Sequence, residues 1–203
     1  VTFDFANDHD KFIQILLNDA RVMLPPYITS KRKMRASDNE DYQTIFSKKD
    51  GSIAAPTAGL HFTEGLIKEI NKKGINFERI TLNINLGTFS PLRNENVKEN
   101  NLHSEHCYIS EQTVKKLNEA KANKKQRIIS VGTTALRSLE TSFNGDEFVP
   151  INCKTNKFIY PGIEINSIDA LITNFHLPRS SLFILICALM GTQNMLDAYN
   201  YAI

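Results

Sequence analysis

The sequence predicts a mixed α/β (α+β) fold, a central sheet with flanking helices. Three observations carry this. "ITLNINL" alternates strictly, with Ile80, Leu82, Ile84 and Leu86 on one face and Thr81, Asn83 and Asn85 on the other, which marks a half-buried strand. "EGLIKEINKK" has helical character between a capping Thr63 and a terminating Gly74. Beyond residue 60, helical and strand patterns take turns, as βα units around a sheet do.

Taken in order, "VTFDF" alternates like a strand already under way. "DKFIQILLNDA" spaces Phe12, Ile13, Leu16 and Leu17 as a helix does, and "LPPYI" stops it. Residues 30–41, "SKRKMRASDNED", read as an exposed charged loop; Lys31, Arg32, Lys33 and Arg35 also allow a reading as phosphate contacts. Ser110 is placed to cap "EQTVKKLNEAKANK". "RIISV" is a strand, followed by "GTT" and the helix "ALRSLETSF". "KFIY" before a "PG" turn and "DALITNF" are further expected strands. "SSLFILICALMG" is a buried helix that ends at Gly191, and "AYNYAI" is helical. The first residue is Val1, and both ends read as elements in progress, so a fragment is expected.

The chain has 203 residues, 41% of them apolar, enough for a sizeable core. A net charge of +2 neither demands nor excludes a nucleic-acid partner. Cys107, Cys153 and Cys187 stand far apart with no C-x-x-C, which favours a reducing compartment over a disulfide scaffold or structural zinc. Cys187 lies in an apolar run and reads as core. The longest apolar run, "LFILICALM", is too short to span a bilayer, so the expectation is a cytoplasmic monomer without membrane association. The dinucleotide fingerprint G-x-G-x-x-G is absent.

Candidate functional residues gather where strands end. "PTAGLHF" offers Thr57, Gly59 and His61, with small residues leaving room for a ligand beside the imidazole. "LGTFSP" offers Gly87, Thr88 and Phe89. "VGTTALRSLE" puts Gly132, Thr133 and Thr134 at a helix start whose free N–H groups suit an anion, with Arg137 one turn in. "TNFHLPRSSL" offers Asn174, Phe175 and His176. In "LHSEH", His103 and Glu105 share a face of an extended chain and suit a hydrogen-bonded pair; the spacing fits no standard zinc motif, and no metal is expected. Each residue also has a plainer reading: a satisfied histidine, a helix cap, a surface arginine, a core phenylalanine.

In this order, "YQTIF", "GSIAAPTAGLHFT", "LGTFSPL", "HSE", "VGTTALRSLE", "FIYPG" and "DALITNFHLPRSSL" resemble the S-adenosylmethionine:tRNA ribosyltransferase-isomerases of queuosine biosynthesis. "LPPYI" and "AYNYAI" extend the likeness, which runs from about Leu24 onward. The resemblance implies an enzyme that transfers and isomerises the ribosyl part of S-adenosylmethionine. The acceptor is 7-aminomethyl-7-deazaguanine at the tRNA wobble position, and the product is epoxyqueuosine. S-adenosylmethionine is then a co-substrate, and no cofactor is implied because its sulfonium supplies the activation. The family fold sets a small inserted β-barrel beside the main domain. On that likeness residues 1–20 are the tail of the barrel or the return from it, and residues 21–203 are the main catalytic domain.

Chemistry of that kind needs a base for a sugar proton, a route for adenine to leave, and an aligned amine. His61, Glu105 and His176 are the expected catalytic residues. Thr57, Gly59, Gly87, Thr88, Phe89, His103, Gly132, Thr133, Thr134, Arg137, Asn174 and Phe175 are the expected substrate contacts. Phe89 or Phe175 would stack on a base. Two positions depart from the family pattern: Asn85 stands where Gly is frequent, and Asn100 where a His is frequent. The alternatives are a catalytically idle tRNA-binding fragment and an S-adenosylmethionine-dependent methyltransferase, the latter weakened by the missing Gly-rich loop.

Overall fold

The computed structural model describes residues 11, 23–48, 52, 54–84, 92 and 94–203. The chain divides into two compact units, Val1–Tyr42 and Gln43–Ile203. The expected barrel remnant, the expected domain boundary and the expected helix over residues 10–20 lie outside the described residues, Lys11 apart.

In the first unit, α1 (Pro26–Thr29) and α2 (Asp38–Asp41) are single helical turns. The segment expected as a solvated loop has a fixed centre. Asp38 is 2% exposed, and its carboxylate accepts from both Nη atoms of Arg32 at 2.8 and 2.6 Å and from the Arg35 N–H at 2.7 Å. A planar guanidinium matches a carboxylate in two parallel bonds, and such pairs hold their geometry. The Arg32 bonds, then the Arg35 N–H, hold the Asp38 pKa down at about 2. Arg32 is thereby engaged rather than offered to phosphate.

The second unit runs through a 3-10 helix (Thr57–His61), α3 (Glu64–Lys72), β1 (Thr81–Asn83), β2 (Glu105–Ile109), α4 (Glu111–Ala122), β3 (Ile129–Val131), α5 (Thr133–Ser142), β4 (Ile151–Thr155), β5 (Ala170–Ile172), α6 (Ser181–Met190) and α7 (Thr192–Ala202). The caps read from sequence form. Thr63 Oγ1 accepts from Leu66 N at 3.1 Å, and Ser110 Oγ accepts from Thr113 N at 3.2 Å. Gly191 ends α6, and α7 departs from it at 113°.

Among the described residues the expected single central sheet is corrected to two small ones. β1, β2 and β4 form an antiparallel sheet in the order β1-β2-β4, while β3 and β5 form a separate parallel pair. Alternation of apolar residues tells a short strand which face to bury but not which strand to join. "KFIY" is also corrected: the strand lies earlier, at "INCKT". β4 is an edge strand with Asn152, Cys153 and Lys154 all exposed, so it carries no apolar alternation to read. Phe158 and Tyr160 instead pack edge-on at 5.5 Å outside the sheet.

The core joins the two sheets to the helices. Ile109, Val114, Leu117, Ile128, Leu136, Leu139, Phe148, Ile159, Ile168, Leu185 and Ile186 form one buried cluster. Cys187 is 4% exposed, as its apolar run suggested. Among the described residues no single helix is long and apolar enough to cross a membrane.

Candidate active site

Two parallel strands end side by side, and their loops define the site. Gly132 N donates to Ile172 O at 2.8 Å, which sets the turn after β3 against the turn after β5. Gly132 has φ +91°, ψ 144°, a conformation glycine alone adopts without strain, and α5 starts directly after it. Gly132, at the cap position, has no side chain to cap that start. Thr133 is buried and Thr134 half-buried there, beside first-turn N–H groups that suit an anion.

The turn carrying His61 joins the same place. His61 Nε2 lies 3.0 Å from Asn174 Oδ1. An amide oxygen only accepts, so Nε2 carries the proton and Nδ1 of the neutral ring keeps its lone pair. The imidazole itself is exposed. The small residues before it do not leave room, contrary to the sequence expectation. Ala54, Ala58 and Gly59 are buried, and a Cβ on Gly59 would stand 3.2 Å from both Thr44 Cγ2 and Phe46 Cδ2. Smallness here lets the turn pack closely. Thr57 is half-buried at its start.

His176, two residues beyond Asn174, has a different environment. Its Nε2 lies 3.0 Å from Thr173 Oγ1, and its N–H donates to Tyr199 Oη at 2.8 Å. Burial pushes its pKa down to about 4. His176 is among the expected catalytic residues, but at neutral pH its ring is uncharged and weakly basic. Phe175 is 69% exposed and meets Tyr199 edge-on at 4.9 Å. Thr173, Asn174, Phe175, Met190, Met195 and Tyr199 line part of a groove of about 490 Å³.

Glu105 and Arg137 meet on the buried side of α5. Glu105 is 1% exposed and Arg137 4%, with Arg137 Nη1 donating to Glu105 Oε2 at 2.7 Å and Nε to Lys157 O at 3.0 Å. Arg137 Nη2 is buried and has no hydrogen-bond partner among the described residues. The expected sharing of a face by His103 and Glu105 does not arise: His103 is exposed and precedes β2, whereas Glu105 opens it and turns inward. Strand alternation governs only residues inside the strand. Gly87, Thr88 and Phe89 lie outside the described residues, as does Asn85.

Sequence reasoning missed Thr173, Lys157 and Tyr199. Thr173 sits in the quoted strand end and was a legible hydroxyl. Lys157 acts through its carbonyl, which carries no residue-type signal. Tyr199 comes from a helix outside the quoted turns. Asn100, at the departure from the family pattern, is 7% exposed and ties its own loop: its Nδ2 donates to the Asn94 and Asn96 carbonyls at 2.9 Å, and its Oδ1 accepts from Asn94 N at 3.0 Å. Among the described residues no three His, Cys, Asp or Glu side chains cluster to hold a metal ion.

The site therefore combines an exposed imidazole, an uncapped helix start and an exposed aromatic ring, on a mixed α/β unit whose parallel strands end together. A family model described as "Queuosine biosynthesis protein" matches residues 1–203. The chain belongs to that family. It is 42% identical over 209 residues to the S-adenosylmethionine:tRNA ribosyltransferase-isomerase of Thermosipho melanesiensis, covering 100% of this chain and 61% of the relative. The protein of the same name from Zymomonas mobilis is 44% identical over 205 residues, covering 100% of this chain and 59% of the relative. The crystal structure of an S-adenosylmethionine tRNA ribosyltransferase from Thermotoga maritima aligns with a TM-score of 0.58 at 39% identity, covering 71% of this chain and 45% of that one. The chain thus spans about 60% of the length of these curated relatives.

Proposed function

We propose that the protein is a tRNA-modifying transferase that moves and isomerises the ribosyl group of S-adenosylmethionine onto 7-aminomethyl-7-deazaguanine at the tRNA wobble position, giving epoxyqueuosine. The observation that carries this reading is the 3.0 Å contact between His61 and Asn174, which joins two of the expected turns at the end of the β3–β5 pair. The names of the relatives support it. Residues 21–203 as the main catalytic domain, with residues 1–20 returning from the barrel, belong to the same proposal, as does a cytoplasmic location alongside tRNA.

Roles follow from surroundings. His61 is the proton acceptor for the sugar carbon beside the sulfonium, because its side chain is reachable and Asn174 engages Nε2 rather than Nδ1. His176 is a neutral hydrogen-bonding group that shapes the loop. Glu105, already paired inside the protein, holds Arg137 in place. Arg137 Nη2 is the donor left for an anionic group such as the methionine carboxylate. The amides at Thr133 and Thr134 take a carboxylate or a tRNA phosphate. Phe175 stacks on adenine or on the extruded deazaguanine.

Mass spectrometry of tRNA incubated with the protein and S-adenosylmethionine tests this. A ribosyl-derived adduct on the deazaguanine, with adenine and methionine released, is expected. Bound but unchanged tRNA would indicate the idle binding fragment, and a methyl gain would indicate a methyltransferase.

A further inference from the structure

The three thiols, far apart in sequence, are not equivalent in space. Cys107 on β2 and Cys153 on β4 are directly opposed partners in the antiparallel register. Their sulfurs are 3.9 Å apart, and Cys107 Sγ also lies 3.5 Å from the Cys153 carbonyl oxygen. Both residues are free thiols, Cys107 fully buried and Cys153 exposed. Opposed antiparallel residues have Cα atoms about 4.5 or 5.5 Å apart, and both spacings lie inside the range a disulfide bridges. Forming the bond requires the sulfurs to close to about 2.05 Å, a small side-chain movement. β4 is the sheet's edge, so it is free to adjust.

We infer that Cys107 and Cys153 are a redox-active thiol pair that forms a reversible intramolecular disulfide on reaction with a low-molecular-weight disulfide such as oxidised glutathione. The asymmetry of exposure sets the order of events. The Cys153 thiol loses its proton, and the thiolate attacks one glutathione sulfur, breaking that S–S bond and releasing one glutathione thiolate, which takes up the proton. Cys107 then loses its proton and attacks the Cys153 sulfur. The Cys153–glutathione bond breaks, and the second glutathione leaves as a thiol. Two protein thiols are oxidised and one glutathione disulfide is reduced to two thiols, so hydrogen atoms and electrons balance. Burial raises the Cys107 pKa, and because Cys107 is fully buried while Cys153 is exposed, the second step is the slow one and accelerates with pH. Cys187, buried in α6 and outside this register, is the internal control. The inference is independent of the proposed enzymatic activity.

The native protein is incubated with oxidised glutathione, unfolded in N-ethylmaleimide and digested without reductant for mass spectrometry. The reduced protein takes up a maleimide on all three cysteines. The oxidised one is expected to take it up on Cys187 alone, with a peptide cross-linked through Cys107 and Cys153. Dithiothreitol restores the reduced pattern, and cross-link yield rises with pH. Cys107→Ser leaves glutathione trapped on Cys153. Cys153→Ser, a change at an exposed position, abolishes the cross-link even if the Cys107 variant fails to fold. Glutathione still retained on Cys153 of the folded wild type without a cross-link after prolonged incubation at alkaline pH, or a cross-link through Cys187, overturns the inference.

Discussion

His61 and Glu105 occupy opposite surroundings in one unit. His61 is exposed and hydrogen-bonded to Asn174, 113 residues away in sequence. Glu105 is 1% exposed and bound to Arg137, itself 4% exposed. An exposed imidazole exchanges its proton with solvent at little cost. A buried carboxylate paired to a guanidinium does not, because protonating it strands a buried cation. On the proposed roles, proton transfer falls to the strand-end region and rigidity to the pair behind α5. The two regions should fail differently when changed.

The largest effect should fall on the buried pair. Arg137→Met removes the guanidinium from beside a buried carboxylate, and breaking such a buried pair costs about 3–5 kcal/mol and lowers Tm by roughly 10 °C for a chain of this size. Adding Glu105→Leu should recover most of the loss, because a well-packed apolar pair is often as stable as a buried ion pair. A single variant that melts like wild type breaks the comparison. At the other region, His61→Ala should lower turnover about a hundredfold, near 2.7 kcal/mol in transition-state terms, with an unchanged melting curve. His61→Asn, which keeps a hydrogen bond but not the titration, should be as slow; wild-type turnover in it would reduce His61 to a positioning group.

Gly132 lies between the two behaviours, since it shapes the site and is held by backbone geometry. Gly132→Ala forces a side chain into φ +91° and should cost about 1–3 kcal/mol by denaturant unfolding. The added Cβ meets Thr134 Oγ1 at an ordinary 3.6 Å, so strain rather than crowding is the cause. A different kind of effect is a pH dependence from His176. Its folded pKa of about 4 lies below the ordinary 6.5. The unfolded chain therefore binds a proton that the fold refuses, and stability from this group is complete above 6.5 and lost as pH falls from 6.5 to 4. Wild type and His176→Gln, compared across that window, should converge in stability toward its acid end; parallel curves would show that His176 titrates alike in both states.

Much of the local structure was legible because its causes are local. Thr63, Ser110 and Gly74 sit at helix ends for reasons a few residues long. The strands at β1, β3 and β5 fall inside the expected segments for the same reason, while the edge strand β4 did not announce itself, its middle residues being solvent-facing. Gly59 was legible as a special position, but its purpose was read the wrong way round. Only its neighbours Thr44 and Phe46 show that the missing Cβ serves packing.

The sequence by itself determined the family, the helix caps, the buried helix around Cys187 and the segments from which the site is drawn, all properties of residues near one another along the chain. The tertiary structure decided which strands pair, that Glu105 faces Arg137 rather than His103, that His61 meets Asn174, and that Cys107 lies against Cys153. Those are contacts between residues 23 to 113 positions apart. Hydrophobic pattern fixes which face of an element is buried, but it is nondirectional, so the partner across the interface is chosen only when all the elements pack at once.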